Sequence, residues 1–265
     1  MKTKGVSYQQ LRSATGKVTY NGTTFLIDPM LAEKGRYEGF AGTFNAEVRN
    51  PTVELPESKE KIMAGVDAVI VTHTHLDHWD EAAQRFIDKE LPFFVQDEAD
   101  AAAIRKAGFK NVTVLDGGVK FGGVTLTRVE GTHGTQAMYD DAAAAELLGE
   151  SMGVVFAAPD EKTVYLLGDT VWTPRVSKTL HAVKPDVLIM NTGYAKMLGY
   201  NESIIMGTAD VAKATAFLPE AEIVAVHMDA INHCTVSRKN VRELAKMLKI
   251  EDRVHVPEDG ETVAF

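Results

Sequence analysis

The chain has 265 residues, 45% hydrophobic and 25% charged, which suits one large or two small globular domains and excludes a disordered or fibrous composition. A formal net charge of −9 with no dense Lys/Arg run argues against nucleic-acid binding. No apolar run approaches the length of a membrane span, no apolar stretch follows the N-terminal lysines, and the one cysteine, Cys234, cannot form an internal disulfide. A cytoplasmic protein without a secretory signal is therefore expected.

In chain order, residues 17–20 and 23–27 flank Asn21-Gly22, a strong hairpin signal because both positions tolerate positive φ. Asp28-Pro29 ends the pair. Residues 30–58 lack periodicity but carry Tyr37, Phe40 and Phe44. Loops of that length are usually functional or disordered, and the aromatics predict a lid or substrate wall. Residues 66–71 are apolar and β-branched and read as a buried parallel strand, followed by a helix over 79–89 with Asp80 and Glu81 in its first turn.

Residues 92–96 read as a strand, and Asp97 caps a helix running to Ala107, with Gly108 as its terminator. A strand over 112–115 precedes a hairpin turned by Gly122-Gly123 and continued through 124–129. Residues 134–141 show no clear period, whereas the alanine-rich stretch 142–148 reads as a helix. The pattern then restarts: a strand over 153–158, a turn at Pro159-Asp160, a strand to Leu167, and a helix opened by Thr173-Pro174. Buried strands over 187–190 and 223–226 are each followed by a helix, from Ala209 and from Arg238. This alternation predicts an α/β fold of two sheets sandwiched between helices. One domain over 1–265 is expected, built of two similar halves at about 1–150 and 151–265.

The chemistry concentrates between the strand over 66–71 and the helix after it, in Thr72-His73-Thr74-His75-Leu76-Asp77-His78. Ligands collect at such carboxyl ends of strands in open α/β sheets. His73 and His75 are two apart, so an extended backbone points both to one side. Asp77 and His78 follow where the chain turns and aim at a second point nearby. Isolated histidines beside a helix start are ordinarily surface groups, but three imidazoles and a carboxylate within six residues favour a metal. Nitrogen and oxygen donors suit zinc, iron, manganese or cobalt with no need of thiolate.

This motif has the form HxHxDH, and the chain resembles the metallo-β-lactamase-fold superfamily, whose hallmark that is. The resemblance extends to Thr24-Phe25-Leu26-Ile27-Asp28-Pro29, His133 within Glu130-Gly131-Thr132-His133-Gly134, Gly168-Asp169-Thr170, and His227 after Ile223-Val224-Ala225-Val226. Its LIDP motif and the late Val226-His227-Met228 step look most like the branch containing ascorbate-6-phosphate lactonase. Where that branch often carries His or Asn near the first strand, this chain has Arg12-Ser13-Ala14.

The resemblance implies a four-layer αββα sandwich and two divalent transition-metal ions, zinc first, with manganese or iron as alternatives. His73, His75 and His133 would form one site, Asp77, His78 and His227 the other, and Asp169 would bridge them. His227 and His233 compete for the last position, and the strand-end location favours His227. His233 is then a proton donor or substrate contact with a pKa near neutrality, beside Asp77 as a catalytic group. Its alternative is a solvated loop histidine. Tyr194 is a candidate substrate contact, with a surface tyrosine as the alternative. Asp28 and Thr72 are candidates to hold ligand imidazoles from behind.

The function expected is hydrolysis of a small ester-like substrate, a lactone favoured over a phosphodiester, by a metal-held hydroxide. An iron-dependent oxidoreductase on the same scaffold is the alternative outside hydrolases. A small-molecule substrate is the expected partner, with no nucleic acid and no membrane, and a homo-oligomer is compatible with the sequence.

Overall fold

The computed structural model describes residues 5–265. The elements in chain order are β1 (Val6–Arg12), β2 (Thr15–Tyr20), β3 (Thr23–Ile27), α1 (Lys59–Met63), β4 (Ala68–Ile70), α2 (Glu81–Phe86), β5 (Pro92–Val95), α3 (Glu98–Lys106), β6 (Asn111–Val114), β7 (Gly118–Phe121) and β8 (Val124–Glu130). Then come α4 (Gln136–Tyr139), α5 (Ala142–Leu148), β9 (Met152–Ala157), β10 (Val164–Leu166), α6 (Pro174–Val183), β11 (Val187–Asn191), α7 (Thr208–Phe217), β12 (Glu222–Val226), α8 (Arg238–Leu248), β13 (Val254–His255) and β14 (Thr262–Ala264). Among the described residues no helix is long and apolar enough to cross a membrane.

The strands form two seven-stranded sheets, β14-β1-β2-β3-β4-β5-β6 and β13-β12-β11-β10-β9-β8-β7. Each sheet is mixed in the same way. In the first, β14 through β3 pair antiparallel and β3 through β6 pair parallel. In the second, β7 through β10 pair antiparallel and β10 through β13 pair parallel. Strands β3 and β10 are thus equivalent centres. The chain changes sheet at residues 115–117, not near 150, because the β7–β8 hairpin joins β9 in antiparallel register; β14 then returns to the first sheet.

Four layers follow from where apolar side chains meet. Tyr8, Phe25 and Ile70 of the first sheet share a core with Leu126, Phe156 and Val224 of the second, so the sheets pack face to face. On the outer face of the first sheet, Val69 and Phe93 pack with Ile62, Ala83 and Ile104 of α1, α2 and α3. On the outer face of the second, Leu188 and Ile223 pack with Leu180, Val211 and Val241 of α6, α7 and α8.

Local chemistry sets most boundaries. Asn21 and Gly22 have φ of 49° and 76°, as a type I′ hairpin requires. Thr173 caps α6 with Pro174 at its start, and α5 is capped by Asp141. The helix expected over 79–89 is shorter. Asp80 accepts from the Ala83 N–H as the cap of α2, which leaves Trp79 outside the helix, packed edge-on to Phe93 and Phe109. Residues 28–58 contain neither helix nor strand between β3 and α1.

Candidate metal centre

The donors arrive on strand ends. The run 73–78 follows β4, with the His78 and Trp79 N–H groups both bonded to the His75 carbonyl, and this turn separates the first pair of donors from the second. His133 follows β8, Asp169 follows β10 and His227 follows β12. Two of these positions depend on glycine. A Cβ on Gly168 (φ 66°) would stand 2.2 Å from the Met152 carbonyl oxygen, and one on Gly193 would stand 2.2 Å from that of His227. Ser13, Asp28 and His227 hold left-handed backbones at φ of 54°, 45° and 62°, conformations that cost energy and are kept where the surroundings fix them.

All seven expected ligands converge. Three sets of donor atoms lie within 4.8 Å of one another: His73, His75 and His133; His73, His78 and Asp169; and Asp77, His78 and His227. In the last set His78 Nε2 and His227 Nε2 are 3.2 Å apart, and Asp77 Oδ2 is 3.4 Å from His227 Nε2 and 3.7 Å from His78 Nε2. Two ligands bound tetrahedrally to one ion at about 2.0–2.1 Å stand roughly 3.3–3.4 Å apart, so these donors fit a common ion. Asp169 faces both groups: Oδ2 is 3.2 Å from His78 Nε2 and 3.6 Å from His133 Nε2, while Oδ1 is 3.7 Å from His227 Nε2. That is the disposition a bridging carboxylate needs.

The far sides of the His73, His78, His133 and His227 rings are held as well, which is how proteins orient ligand imidazoles. His78 Nδ1 is 2.9 Å from Asp28 Oδ2, and Asp28 in turn accepts from the Thr72 N–H and hydroxyl, both at 2.7 Å. Thr72 Oγ1 is also 3.2 Å from His73 Nδ1. His133 Nδ1 is 3.0 Å from the Ile204 carbonyl. His227 Nδ1 is 3.1 Å from Ser13 Oγ and 3.7 Å from Cys234 Sγ. Asn191 Nδ2 donates to Asp169 Oδ1 at 2.6 Å. Ser13 and Asn191 carry no sequence signal of this role, because neither stands near a ligand in the chain.

Charge tells the same story. Burial and neighbouring imidazoles push His73 down, burial above all lowers His133, and His75 falls to about 4, so their lone pairs are free at neutral pH. Burial alone would lower His78, but Asp169, Asp77 and Asp28 outweigh it and raise it to about 10; Asp169 likewise raises His227. Asp77 and Asp169 are held below the usual carboxylate range by the same histidines, against the effect of burial. The carboxylates around His78 and His227 thus favour positive charge at this point, and the residues fit a metal centre.

A cavity of about 310 Å³ opens over the cluster, at the small end for ligand sites. His75, Asp77, His133, Asp169 and His233 form its polar side, and Phe40, Ala41, Leu147, Leu148, Met197 and Ile204 its apolar side. Phe40 comes from the long loop, as the aromatics there suggested. The alanine-rich stretch 142–148 reads as a helix with no sign that it borders a cavity, yet α5 supplies part of the wall, and Leu147 there is 61% exposed.

His233 is buried in the cavity lining, with its Nδ1 lacking a hydrogen-bond partner and its ring edge-on to Phe40. Its pKa is not near neutrality: burial pushes it down to about 4, so it is a neutral imidazole at pH 7 and not a standing proton donor. Tyr194 is not in the cavity lining. Its backbone is left-handed, φ 47°, and its ring lies against Gly207 at the start of α7. Burial also pushes the Cys234 thiol up, which keeps it from being a nucleophilic thiolate.

Fold and cluster together define a protein of the metallo-β-lactamase type with a candidate metal centre. The β-lactamase superfamily domain model matches residues 23–228. Over 256 residues, 97% of this chain and 98% of the relative, the sequence is 42% identical to UPF0173 protein YddR of Bacillus subtilis. A UPF0173 metal-dependent hydrolase of Koribacter versatilis is 27% identical over 99% of both chains. The chain belongs to the UPF0173 family of the metallo-β-lactamase superfamily. Among solved structures, a possible metal-dependent hydrolase of Veillonella parvula is 52% identical, with TM-score 0.97 over 98% of this chain and 100% of that one. An isothiocyanate hydrolase from Delia radicum gut bacteria is 48% identical, with TM-score 0.94 over 98% of this chain and 99% of that one.

Proposed function

We propose that the protein is a dinuclear metal hydrolase, with zinc as the first candidate, that opens a small, uncharged, apolar-tailed substrate at an electrophilic carbon. An isothiocyanate is the leading substrate class. The observation that carries this reading is the cavity, which sets an apolar wall against the His/Asp cluster and includes no Lys or Arg among its described lining residues. Whole-length likeness to an isothiocyanate hydrolase supports it. A phosphodiester suits the cavity less, because away from the bound ions its lining offers no guanidinium or ammonium and its wall is hydrocarbon. A lactone, the class suggested by the sequence resemblance, is the second reading, because its uncharged carbonyl and tail suit the same wall. The single cysteine supports a reducing, cytoplasmic setting.

Bound ions of this kind lower the pKa of coordinated water to about 7 and polarise the atom under attack. The chain's own residues do the rest. Asp169 spans the two donor groups and fixes their separation, while Asp77, kept ionised by His78 and His227, presents a carboxylate to the cavity. Neutral His233 has an unused Nδ1 to take up a proton and return it to the departing nitrogen. For an isothiocyanate, water oxygen bonds to the central carbon and a proton goes to nitrogen, giving a thiocarbamic acid. Its C–N bond then breaks as the remaining O–H proton moves to nitrogen, releasing amine and carbonyl sulfide.

The test is a substrate panel on metal-loaded protein: an aryl-alkyl isothiocyanate, an alkyl-substituted lactone and a diaryl phosphodiester. Amine release from the isothiocyanate is expected to have the highest kcat/KM. Preference for the phosphodiester would overturn the reading, and preference for the lactone would promote the second one.

A further inference from the structure

The wall of the cavity that faces His233 has no sheet or helix to hold it. Between β3 and α1 the chain makes only isolated bridges, Tyr37 with Asn50 and Thr43 with Met197. Backbone bonds run from the Phe44 N–H to the Lys196 carbonyl at 3.1 Å and from the Leu198 N–H to the Gly42 carbonyl at 2.8 Å. Side-chain bonds to residues 40–50 converge on one buried side chain, Asn232, beside His233. Its Oδ1 accepts from Asn50 Nδ2 at 2.7 Å and from the Phe40 N–H at 3.3 Å. Its Nδ2 donates to the Phe44 carbonyl at 2.8 Å and to Thr43 Oγ1 at 3.0 Å. The backbone adds a bond each way: Asn232 N–H to Asn50 Oδ1 at 2.9 Å, and Asn45 Nδ2 to the Asn232 carbonyl at 3.1 Å.

Every hydrogen-bonding position of this amide is therefore used, and all on one segment. Thr43 passes the constraint on, since its hydroxyl donates to the Phe40 carbonyl at 2.6 Å. The Phe40 ring in turn stands 5.1 Å from that of His233 at 77°. Aspartate in place of Asn232 would keep the acceptors and lose both Nδ2 bonds; alanine would lose all four side-chain bonds.

We propose that Asn232 is a positioning residue that sets the enzyme's affinity for apolar substrate tails, by clasping the 40–50 segment so that Phe40 and Thr43 form a fixed wall against His233. This rests on the reading of the cavity as the substrate site. None of the seven putting donors into the metal cluster bonds to the Asn232 side chain, so its removal acts on the wall and not on the metals.

The experiment compares wild type, Asn232→Asp and Asn232→Ala, all metal-loaded, by metal content, backbone hydrogen exchange, and kinetics with an aryl-alkyl isothiocyanate and with methyl isothiocyanate. Metal content should be unchanged and exchange across residues 40–50 should accelerate, more in the alanine variant. KM for the aryl-alkyl substrate should rise about tenfold in the alanine variant, the scale of one or two net hydrogen bonds, and by less with aspartate. KM for the methyl substrate should move little, and kcat should fall less than KM rises. Unchanged exchange and KM, or equal losses on both substrates, would overturn the proposal. Should Asn232→Ala fail to fold, Thr43→Val removes the Nδ2–Oγ1 and Oγ1–Phe40 bonds and is read the same way. If wild type hydrolyses neither isothiocyanate, the substrate reading fails, and the clasp is decided by exchange alone: acceleration supports it, no change overturns it.

Discussion

The two sides of the cavity are built by different means. On the polar side, donors stand at the ends of β4, β8, β10 and β12, and four of the histidine rings are gripped from behind by Asp28, Thr72, Ser13 or the Ile204 carbonyl. On the apolar side, Phe40, Leu148, Met197 and Ile204 come from a long loop, α5 and an irregular segment before α7, held by side-chain bonds and a small cluster around Met138. The strand ends fix chemistry, which tolerates little displacement. The loops fix fit, which can be retuned without disturbing the reaction. Substitutions on the polar side should therefore move kcat and metal content, and those on the apolar side KM.

The largest effect is expected at the bridge. Asp169→Ala should cost more than about 10³-fold in kcat, beyond the 10–100-fold typical of outer partners, while circular dichroism reports an intact fold. Activity within a few-fold of wild type at saturating metal would contradict bridging. Next is His233→Ala, expected to lower kcat by about 10², the low end for a general acid–base group, with metal content retained. His227→Ala should instead weaken one metal site, and metal loss in the His233 variant would reassign the last ligand. Smaller still is Ser13→Ala, which leaves His227 in place but frees its Nδ1 side; metal affinity, read by competition with a chelator, should weaken by about tenfold. An unchanged affinity would remove Ser13 from the site.

The mildest prediction concerns pH and metal-free protein. His75 and His233 sit at about 4 when folded, against about 6.5 unfolded. Between those values the unfolded chain binds more protons, so their contribution to stability is lost on acidification. His78, raised to about 10, contributes stability that is lost as pH rises from 6.5 toward that value. The melting temperature should therefore peak near neutrality. A steady rise from pH 4 to 10 would contradict the pairing of His78 with its carboxylates.

Much of the polar side was legible in the sequence because metal chemistry restricts both residue type and spacing. His73, His75, Asp77 and His78 announce themselves within one turn, and the buried strands behind His227 and Asp169 are unbroken runs of β-branched, aliphatic and aromatic residues. Strand β1 was harder, because its inward positions include Gln10 and Arg12, and Arg12 is buried by donating to the Met30, Ala32 and Val53 carbonyls. Helix α2 was overextended because Asp80 and Glu81 both suit a first turn, and only packing shows that Trp79 belongs to the core. The apolar side left fewer traces. Leu147 and Met197 look like core residues until the tertiary structure leaves them facing a cavity, and Asn232 has no periodic or spacing signal of its role as a clasp.

The most direct test of the central claim is the number of ions bound per chain at saturation, measured by elemental analysis on protein prepared without chelator and titrated with zinc. Two ions per chain are predicted, falling to one or fewer in Asp169→Ala. A single ion per wild-type chain at saturation would contradict the dinuclear centre.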